Sequence, residues 1–509
     1  MGFSEVLSRT QRGLAAPLVR VEVHLGSGLP TFTIVGLPAP VVKESRERVR
    51  AALAHCGYEL PAGRITVNLA PADLPKEGGR FDLPIALGIL FASGQLQPAF
   101  DLACTEFYGE LGLTGELKAV PGLLLAGLHA ARCGHALVVP RSNGADLVQA
   151  IRANVMGLAH LRDLAAGEMP SRLLPVPAAP AGTTAPTGIP ELADVRGQWQ
   201  AKRALLLAAA GGHSLLMQGP PGSGKTMLAQ RLPGLLPPLM FEEALEVASI
   251  TAVAQSLPGA AVSGSGLTIV PPFRAPHHTA SANAIVGGGV AVQPGEVSLA
   301  HRGVLFLDEL PEFDRRVLES LREPLESGRV SVVRANQRAE YPASFLLVAA
   351  MNPCPCGRAG LVRPRCRCQP AQISRYRARI SGPLLDRIDL QLRLAPVDGA
   401  TLTAAGAQAS ALQLSTAQAR EVVCRARERQ LARQGTLNAR LAAAQTLEHC
   451  RADAASLDLL RRAAAQRGHS ARSQHRILRV ARSIADVADR DMVATDDVAE
   501  ALSLRWEED

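Results

Sequence analysis

The stretch Gly219-Pro220-Pro221-Gly222-Ser223-Gly224-Lys225-Thr226 decides the fold. It follows the apolar run Ser214-Leu-Leu-Met217 and leads into Met227-Leu-Ala-Gln-Arg-Leu232, so it reads as strand, glycine loop, helix. A nucleoside triphosphate carries several negative charges. Glycines let backbone N–H groups turn inward around them without obstruction by Cβ, and a helix starting there presents the positive end of its dipole. The eight residues therefore read as a phosphate cradle. Lys225 reaches the β and γ phosphates and the Thr226 hydroxyl ligates Mg²⁺, which makes ATP with Mg²⁺ the expected cofactor pair.

Downstream, Val304-Leu-Phe-Leu-Asp308-Glu309-Leu310 is an apolar strand that ends in two acids. The first carboxylate is suited to hold Mg²⁺ through water, and the second to orient and polarise the attacking water beside the γ-phosphate. Phe345-Leu-Leu-Val-Ala-Ala-Met-Asn352 is a further buried strand whose tip offers Asn352 to the γ-phosphate or the water.

A chain of 509 residues exceeds one core and suggests two to four domains. With 47% apolar and 20% charged residues it reads as a soluble globular protein. No apolar stretch approaches a membrane span of ~18 residues, and the first twenty residues lack an apolar signal core, so a cytoplasmic location and no membrane partner are expected. The formal charge of +8 suits an anionic polymer. Only five basic residues are lysines, however, and such an arginine excess also follows from genome composition.

Residues 1–165 read as an α/β unit. Leu18–His24 and Thr31–Val35 alternate on either side of a Gly-Ser-Gly turn, predicting a hairpin. Val42, Val49, Leu53 and Cys56 have helical spacing, Arg64–Asn68 is strand-like, and Asp82–Phe91 reads as a buried helix. The segment Asn68–Asp82, containing Lys76-Glu-Gly-Gly-Arg80, and Gly109–Leu117 resemble the proteolytic domain of Lon proteases, of the ribosomal S5 domain 2-like fold. In that alignment Arg80 stands at the nucleophilic serine and Leu124 at the dyad lysine. Neither serves as nucleophile or base, so the domain is expected to be a non-catalytic relative used for assembly or binding. Six prolines from Pro170 to Pro190 mark a semi-stiff spacer over 166–190.

The stretch from Asp194 to about Arg393 resembles an AAA+ module, here bounded as 191–395. The resemblance places Arg387, in Ile380-Ser-Gly-Pro-Leu-Leu-Asp-Arg-Ile-Asp389, where ring ATPases present a finger to the neighbouring subunit's nucleotide; a plain surface ion pair is the alternative. Two inserts resemble those of the clade of magnesium chelatase motors and minichromosome-maintenance helicases. One spans 263–303 with Pro271-Pro-Phe-Arg-Ala-Pro-His-His-Thr279. The other is a β-hairpin from Gly328–Arg334 and Arg338–Tyr341. In that clade hairpins point into the ring channel, which makes Arg334 and Arg338 the candidate DNA contacts.

Immediately after Asn352 come Cys354-Pro-Cys356 and, nine residues on, Cys366-Arg-Cys368, an insertion over 354–368. Two close pairs of thiolates suit one structural Zn²⁺; unliganded thiols and a redox switch are the alternatives. The other five cysteines are scattered. Residues 396–509 read as a helical lid, in which the resemblance assigns Arg472, with Arg476 as competitor, to the γ-phosphate.

Taken together these features resemble the bacterial YifB/ComM family over essentially the full length. The resemblance implies an ATP-driven homohexameric helicase that migrates branched DNA in natural transformation and homologous recombination, with recombination proteins as candidate partners. A chelatase motor subunit and an ATP-driven protein remodeller with an aromatic pore loop are the competing readings; Tyr341 is the aromatic residue nearest the hairpin tip.

Overall fold

The computed structural model describes residues 2–98, 101–151, 153–165, 171–173, 190–255, 267–289, 292–334, 337–361, 365–396, 414–467 and 470–505. The chain separates into two compact units, Met1–Thr183 with Ala244–Thr268, and Thr184–Glu243 with Ile269–Asp509. Among the described residues no helix is long and apolar enough to cross a membrane.

The first unit is built on an eight-stranded sheet. Its strands are β1 (Gly2–Arg9), β2 (Leu18–Gly26), β3 (Thr31–Val35), β4 (Arg64–Ala70), β5 (Thr105–Phe107), β8 (Ala136–Pro140), β9 (Val155–Leu158) and β10 (Ser171–Arg172), in the order β10-β9-β8-β5-β1-β2-β4-β3; β6 (Glu110–Leu111) and β7 (Leu117–Lys118) form a separate ribbon. The expected β2–β3 hairpin is absent. β4 lies between the two, antiparallel to β2 and parallel to β3, with Val21 opposite Leu69 and Ile34 opposite Val67. Both segments alternate as read, but alternation specifies a face and not a neighbour. The helix Pro40–His55, opened by proline, buries Val42, Val49 and Leu53.

The helix Asp82–Ser93 is buried along almost its whole length. At Gly88 an added Cβ would lie 2.5 Å from Cγ2 of Val23, so the absent side chain is what lets this helix press on β2. Truncating a fully buried residue there, such as Leu87, would cost about 2–5 kcal/mol. On β5, Glu106 is fully buried yet satisfied by Arg9 at 2.8 Å, by His135 Nδ1 at 2.7 Å and by the Tyr108 hydroxyl. Burial beside this carboxylate drives the Tyr108 phenol well above its ordinary value. Arg80 and Leu124, which the resemblance aligns with a protease dyad, are both buried, and Arg80 donates to the Pro121 carbonyl at 3.0 Å.

Most of the expected spacer, 166–170 and 174–189, lies outside the described residues. Within it Ser171–Arg172 is not spacer but the edge strand β10, antiparallel to β9. From the segment that joins the first unit through Ala244–Thr268, Leu245, Ala248 and Leu267 pack on the cluster of Tyr108, Leu123 and Leu147.

The second unit contains a parallel five-stranded sheet. Its strands are β11 (Leu215–Gln218), β12 (Phe273–Arg274), β15 (Val304–Leu307), β18 (Leu346–Met351) and β19 (Leu390–Arg393), in the order β12-β15-β18-β11-β19. β11, β15 and β18 are buried at every position, as expected for strands covered on both faces. Two ribbons accompany it: β13 (Gly287–Gly288) with β14 (Gln293–Pro294), and β16 (Arg329–Arg334) with β17 (Gln337–Pro342). The C-terminal region is helical, with helices Thr416–Gln434, Ala443–Cys450, Ala454–Arg467, Ala471–Val487 and Thr495–Ser503. Arg433 pairs with the buried Asp486 at 2.7 Å, and Arg482 donates to the Asp491 carbonyl at 2.6 Å.

Candidate functional site

A parallel sheet puts the carboxyl ends of its strands on one side, and the connections that leave there converge. β15, β18 and β11 are consecutive neighbours: Leu307 is opposite Ala349, and Gln218 is opposite Met351. The residues that follow these strand ends, Asp308, Asn352 and the loop from Gly219, are therefore assembled at one edge.

The loop is pinned at its root by a hydrogen bond from Gly219 N–H to the Met351 carbonyl, 3.1 Å, and by Ser223 Oγ donating to the Pro220 carbonyl, 2.8 Å. Gly222 and Gly224 adopt φ of 78° and 86°, the left-handed region that L side chains rarely enter, and an added Cβ at either would meet nothing within 4 Å. The concave side is thus open. Lys225 Nζ donates to the carbonyls of Gly219 and Pro220 at 2.7 and 3.0 Å and to Asn352 Oδ1 at 3.3 Å. Burial pushes its ammonium down from the ordinary value, against the attraction of Asp308 and Glu309.

Thr226 Oγ1 donates to Asp308 Oδ2 at 2.7 Å, which brings two hard oxygen donors together as Mg²⁺ requires. Asp308 also accepts from the backbone N–H of Glu309 at 2.9 Å. Glu309 itself has φ 54°, an uncommon conformation for a residue with a Cβ. Its Oε2 lies 3.3 Å from Nδ1 of His278, whose ring is tilted against that of His277 and meets Phe313 edge-on. The donors, the open cradle and the paired oxygens fit a triphosphate with Mg²⁺. When bound, that pair would supply the electrophilic phosphorus and its charge neutralisation.

The remaining sequence candidates sit as follows. Arg387 turns to its own chain, donating to the Pro383 carbonyl at 2.7 Å and pairing with Glu326. Arg472 is exposed in the first turn of the helix Ala471–Val487, whereas Arg476 turns inward, 3.9 Å from Asp389. Residues 328–342 do form a hairpin. Arg338 is exposed near its tip, Arg334 is the last residue of β16, and the connecting residues 335–336 lie outside the described set. Tyr341 is not at the tip. It is fully buried at the base of the hairpin, donating its hydroxyl to the Val292 carbonyl at 2.7 Å, because an aromatic ring on the inner face of a short ribbon gains more from packing than from solvent. The sulfurs of Cys354, Cys356, Cys366 and Cys368 converge within 4.8 Å of one another.

Residues 191–402 match the family described as Magnesium chelatase, subunit ChlI; residues 21–143 match Subunit ChlI of Mg-chelatase, and residues 413–505 match Magnesium chelatase, subunit ChlI C-terminal. The chain is 45% identical over 505 residues to a protein named YifB of Salmonella typhimurium, covering 99% of this chain and 97% of the relative. It is also 45% identical over 509 residues to the Competence protein ComM of Haemophilus influenzae, covering 99% and 98%. The chain belongs to the YifB/ComM family. The Magnesium-chelatase 67 kDa subunit of Heliobacterium mobile is more distant, 31% identical over 186 residues, 32% of this chain and 28% of the relative.

The YifB/ComM chain thus carries a magnesium-chelatase-like AAA+ core with a mixed α/β, parallel-sheet architecture and a helical C-terminal region. One residue of this site was not singled out by the sequence reading: His278 lies in the quoted insert, but no role was assigned to it. Its signal was positional. It follows β12, which neighbours β15 in the sheet, so a polar residue just past one strand end faces the acids just past the other.

Proposed function

We propose that this YifB/ComM-family protein is an ATP-driven DNA motor that works as a homohexamer and migrates branched recombination intermediates. Lys225, Thr226 and Asp308 hold ATP and Mg²⁺. Glu309 polarises the attacking water, Asn352 senses the γ-phosphate, and Arg387 completes the site of the neighbouring protomer. Arg472 approaches the γ-phosphate from the lid, while Arg334 and Arg338 track DNA phosphates. Residues 1–165 act in assembly or binding and not in proteolysis; 166–190 link them to the motor core 191–395, and 396–509 form its lid.

The observation that carries the reading is the assembly of Lys225, Thr226, Asp308 and Asn352 at one sheet edge, in a chain similar end to end to a protein named for competence. The burial of Tyr341 favours DNA over a polypeptide as the threaded polymer, since no aromatic is left for the hairpin tip among the described residues. The relatives named for chelatase that align here cover about a third of the chain, which weighs against a chelatase motor.

The test is migration of a four-way DNA junction with ATP. The parent is expected to migrate it, and Glu309→Gln to bind ATP and DNA without migrating anything. Migration by Glu309→Gln at the parent rate would refute the role of Glu309, and a parent that hydrolyses ATP without moving any junction would refute the DNA motor.

A further inference from the structure

We propose that Cys354, Cys356, Cys366 and Cys368 hold one Zn²⁺, and that this metal knot supports the nucleotide site by fixing Asn352 and the Pro221 side of the phosphate loop. The second half of the proposal rests on the nucleotide-site reading above; the first half does not.

The geometry is that of a metal site before any question of function. Four sulfurs at ~2.3 Å from a tetrahedral zinc would lie ~3.8 Å from one another. Here Cys354 Sγ is 3.4 Å from Cys356 Sγ and 3.6 Å from Cys366 Sγ, and Cys356 and Cys366 are 3.5 Å apart, with Cys368 inside the same 4.8 Å sphere. No pair is a disulfide. Backbone N–H groups already point at the sulfurs, from Ala359 to Cys354 at 3.3 Å and from Cys368 to Cys366 at 3.4 Å, the kind of outer support that steadies thiolate ligands. Gly357, between the two halves of the knot, takes φ 73°, which lets the chain turn back after Cys356. Four thiolates with one divalent zinc leave two negative charges. Arg358, Arg365 and Arg367 flank the ligands in sequence and are placed to offset them. Four protein ligands leave no open position, so the metal is structural.

The knot touches the nucleotide machinery from two sides. Cys354 is two residues from Asn352, whose amide oxygen receives Lys225 Nζ. Gly357 lies so close to the phosphate loop that an added Cβ would be 2.7 Å from Cδ of Pro221, and 3.8 Å from Cγ of Asn352. A closed four-ligand cage fixes the loop that follows this strand tip.

The experiment measures metal first and nucleotide second. Protein purified under reducing conditions is analysed for metal by elemental mass spectrometry, then stripped with a mercurial plus chelator and reloaded with Zn²⁺ or Co²⁺. Binding of a fluorescent ATP analogue is followed at each stage. One zinc per chain, the absorption bands of tetrathiolate cobalt, and a 10- to 100-fold loss of nucleotide affinity on stripping (about one to two charged hydrogen bonds) that reloading restores would support the proposal. Circular dichroism of the stripped protein distinguishes local loosening from unfolding. Cys368→His should keep the metal and the affinity, whereas Cys356→Ser with Cys366→Ser should lose both. Substoichiometric metal without the cobalt bands, or a disulfide among these four cysteines in the purified protein, overturns the metal site. Unchanged affinity in folded, metal-free protein overturns the coupling. Failure of junction migration with metal and nucleotide binding intact would instead sink the DNA motor.

Discussion

The imidazole Nδ1 of His278 lies 3.3 Å from Oε2 of Glu309, across the gap between the connections that follow β12 and β15. The carboxylate expected to orient water thus has a partner of its own, and it stands on a backbone in the left-handed region. A polar contact this exposed is worth at most about 1 kcal/mol, which converts to roughly fivefold in a rate or population. His278→Ala should therefore leave nucleotide affinity unchanged and raise DNA-independent hydrolysis about 2- to 5-fold. A coupled-enzyme phosphate assay reads this. A fall to the level of Glu309→Gln would place His278 in the chemistry instead.

Arg387 is held by Glu326 and the Pro383 carbonyl of its own chain. Glu326 is half exposed whereas the Arg387 side chain is only 8% exposed, so the pair adds some stability, and a finger role predicts that the rate falls far more than the stability. Arg387→Ala should unfold within a few degrees of the parent while hydrolysis falls by about 10³-fold or more. Glu326→Gln should change neither by much. Equal rates for Arg387→Ala and the parent would end the finger assignment.

Asp389 is buried, and burial alone would raise its carboxyl. The hydrogen bond from His213 Nδ1 at 3.0 Å and the charges of His213, Arg476 and Arg505 outweigh it and hold the group below its ordinary value. A depressed folded value means that the stabilisation is complete above the unfolded value near pH ~4 and is lost as the pH falls through the folded one. Asp389→Asn should cost about 3 kcal/mol at neutral pH and flatten the acid limb of the stability curve. Urea midpoints measured from neutrality down to pH ~3 would show the two curves converging; a constant offset would assign the acid loss to other groups.

The hairpin tip is tested by salt. If Arg338 neutralises one DNA phosphate, Arg338→Ala should reduce the slope of log affinity against log salt by about one unit and lower DNA-stimulated hydrolysis while sparing the basal rate. The same pattern is expected of Arg334→Ala. Binding isotherms at three salt concentrations check it, and an unchanged slope with unchanged stimulation removes both residues from the interface.

The parts of the molecule legible in the sequence were those whose constraint is local. Gly222 and Gly224 are dictated by φ, and the two acids and Asn352 by the abrupt end of an apolar run, so each could be read within a few residues. The β2–β3 hairpin failed because strand pairing is not local: β4, thirty residues away, supplies neighbours to both strands. Tyr341 lies near the tip by count, but its hydroxyl bonds the carbonyl of Val292, just before β14 of another ribbon. His278 was visible and unassigned, since its meaning comes from the sheet order, which no run of residues states. The same holds for the convergence of two Cys-x-Cys pairs: the spacing allowed it, and the folded loop delivers it.

The helix Phe241–Gln255 has a practical bearing on dissection of the molecule. Leu245, Ala248 and Leu267 complete an apolar surface on the first unit although they are encoded well inside the motor sequence. A fragment that stops at the proline-rich stretch would therefore be born with a greasy scar and prone to clump, and a motor fragment trimmed of its front end would carry the matching wound. The first unit takes one of its segments from far along the gene, so point substitutions, not shears, are the tool for asking what the front half does.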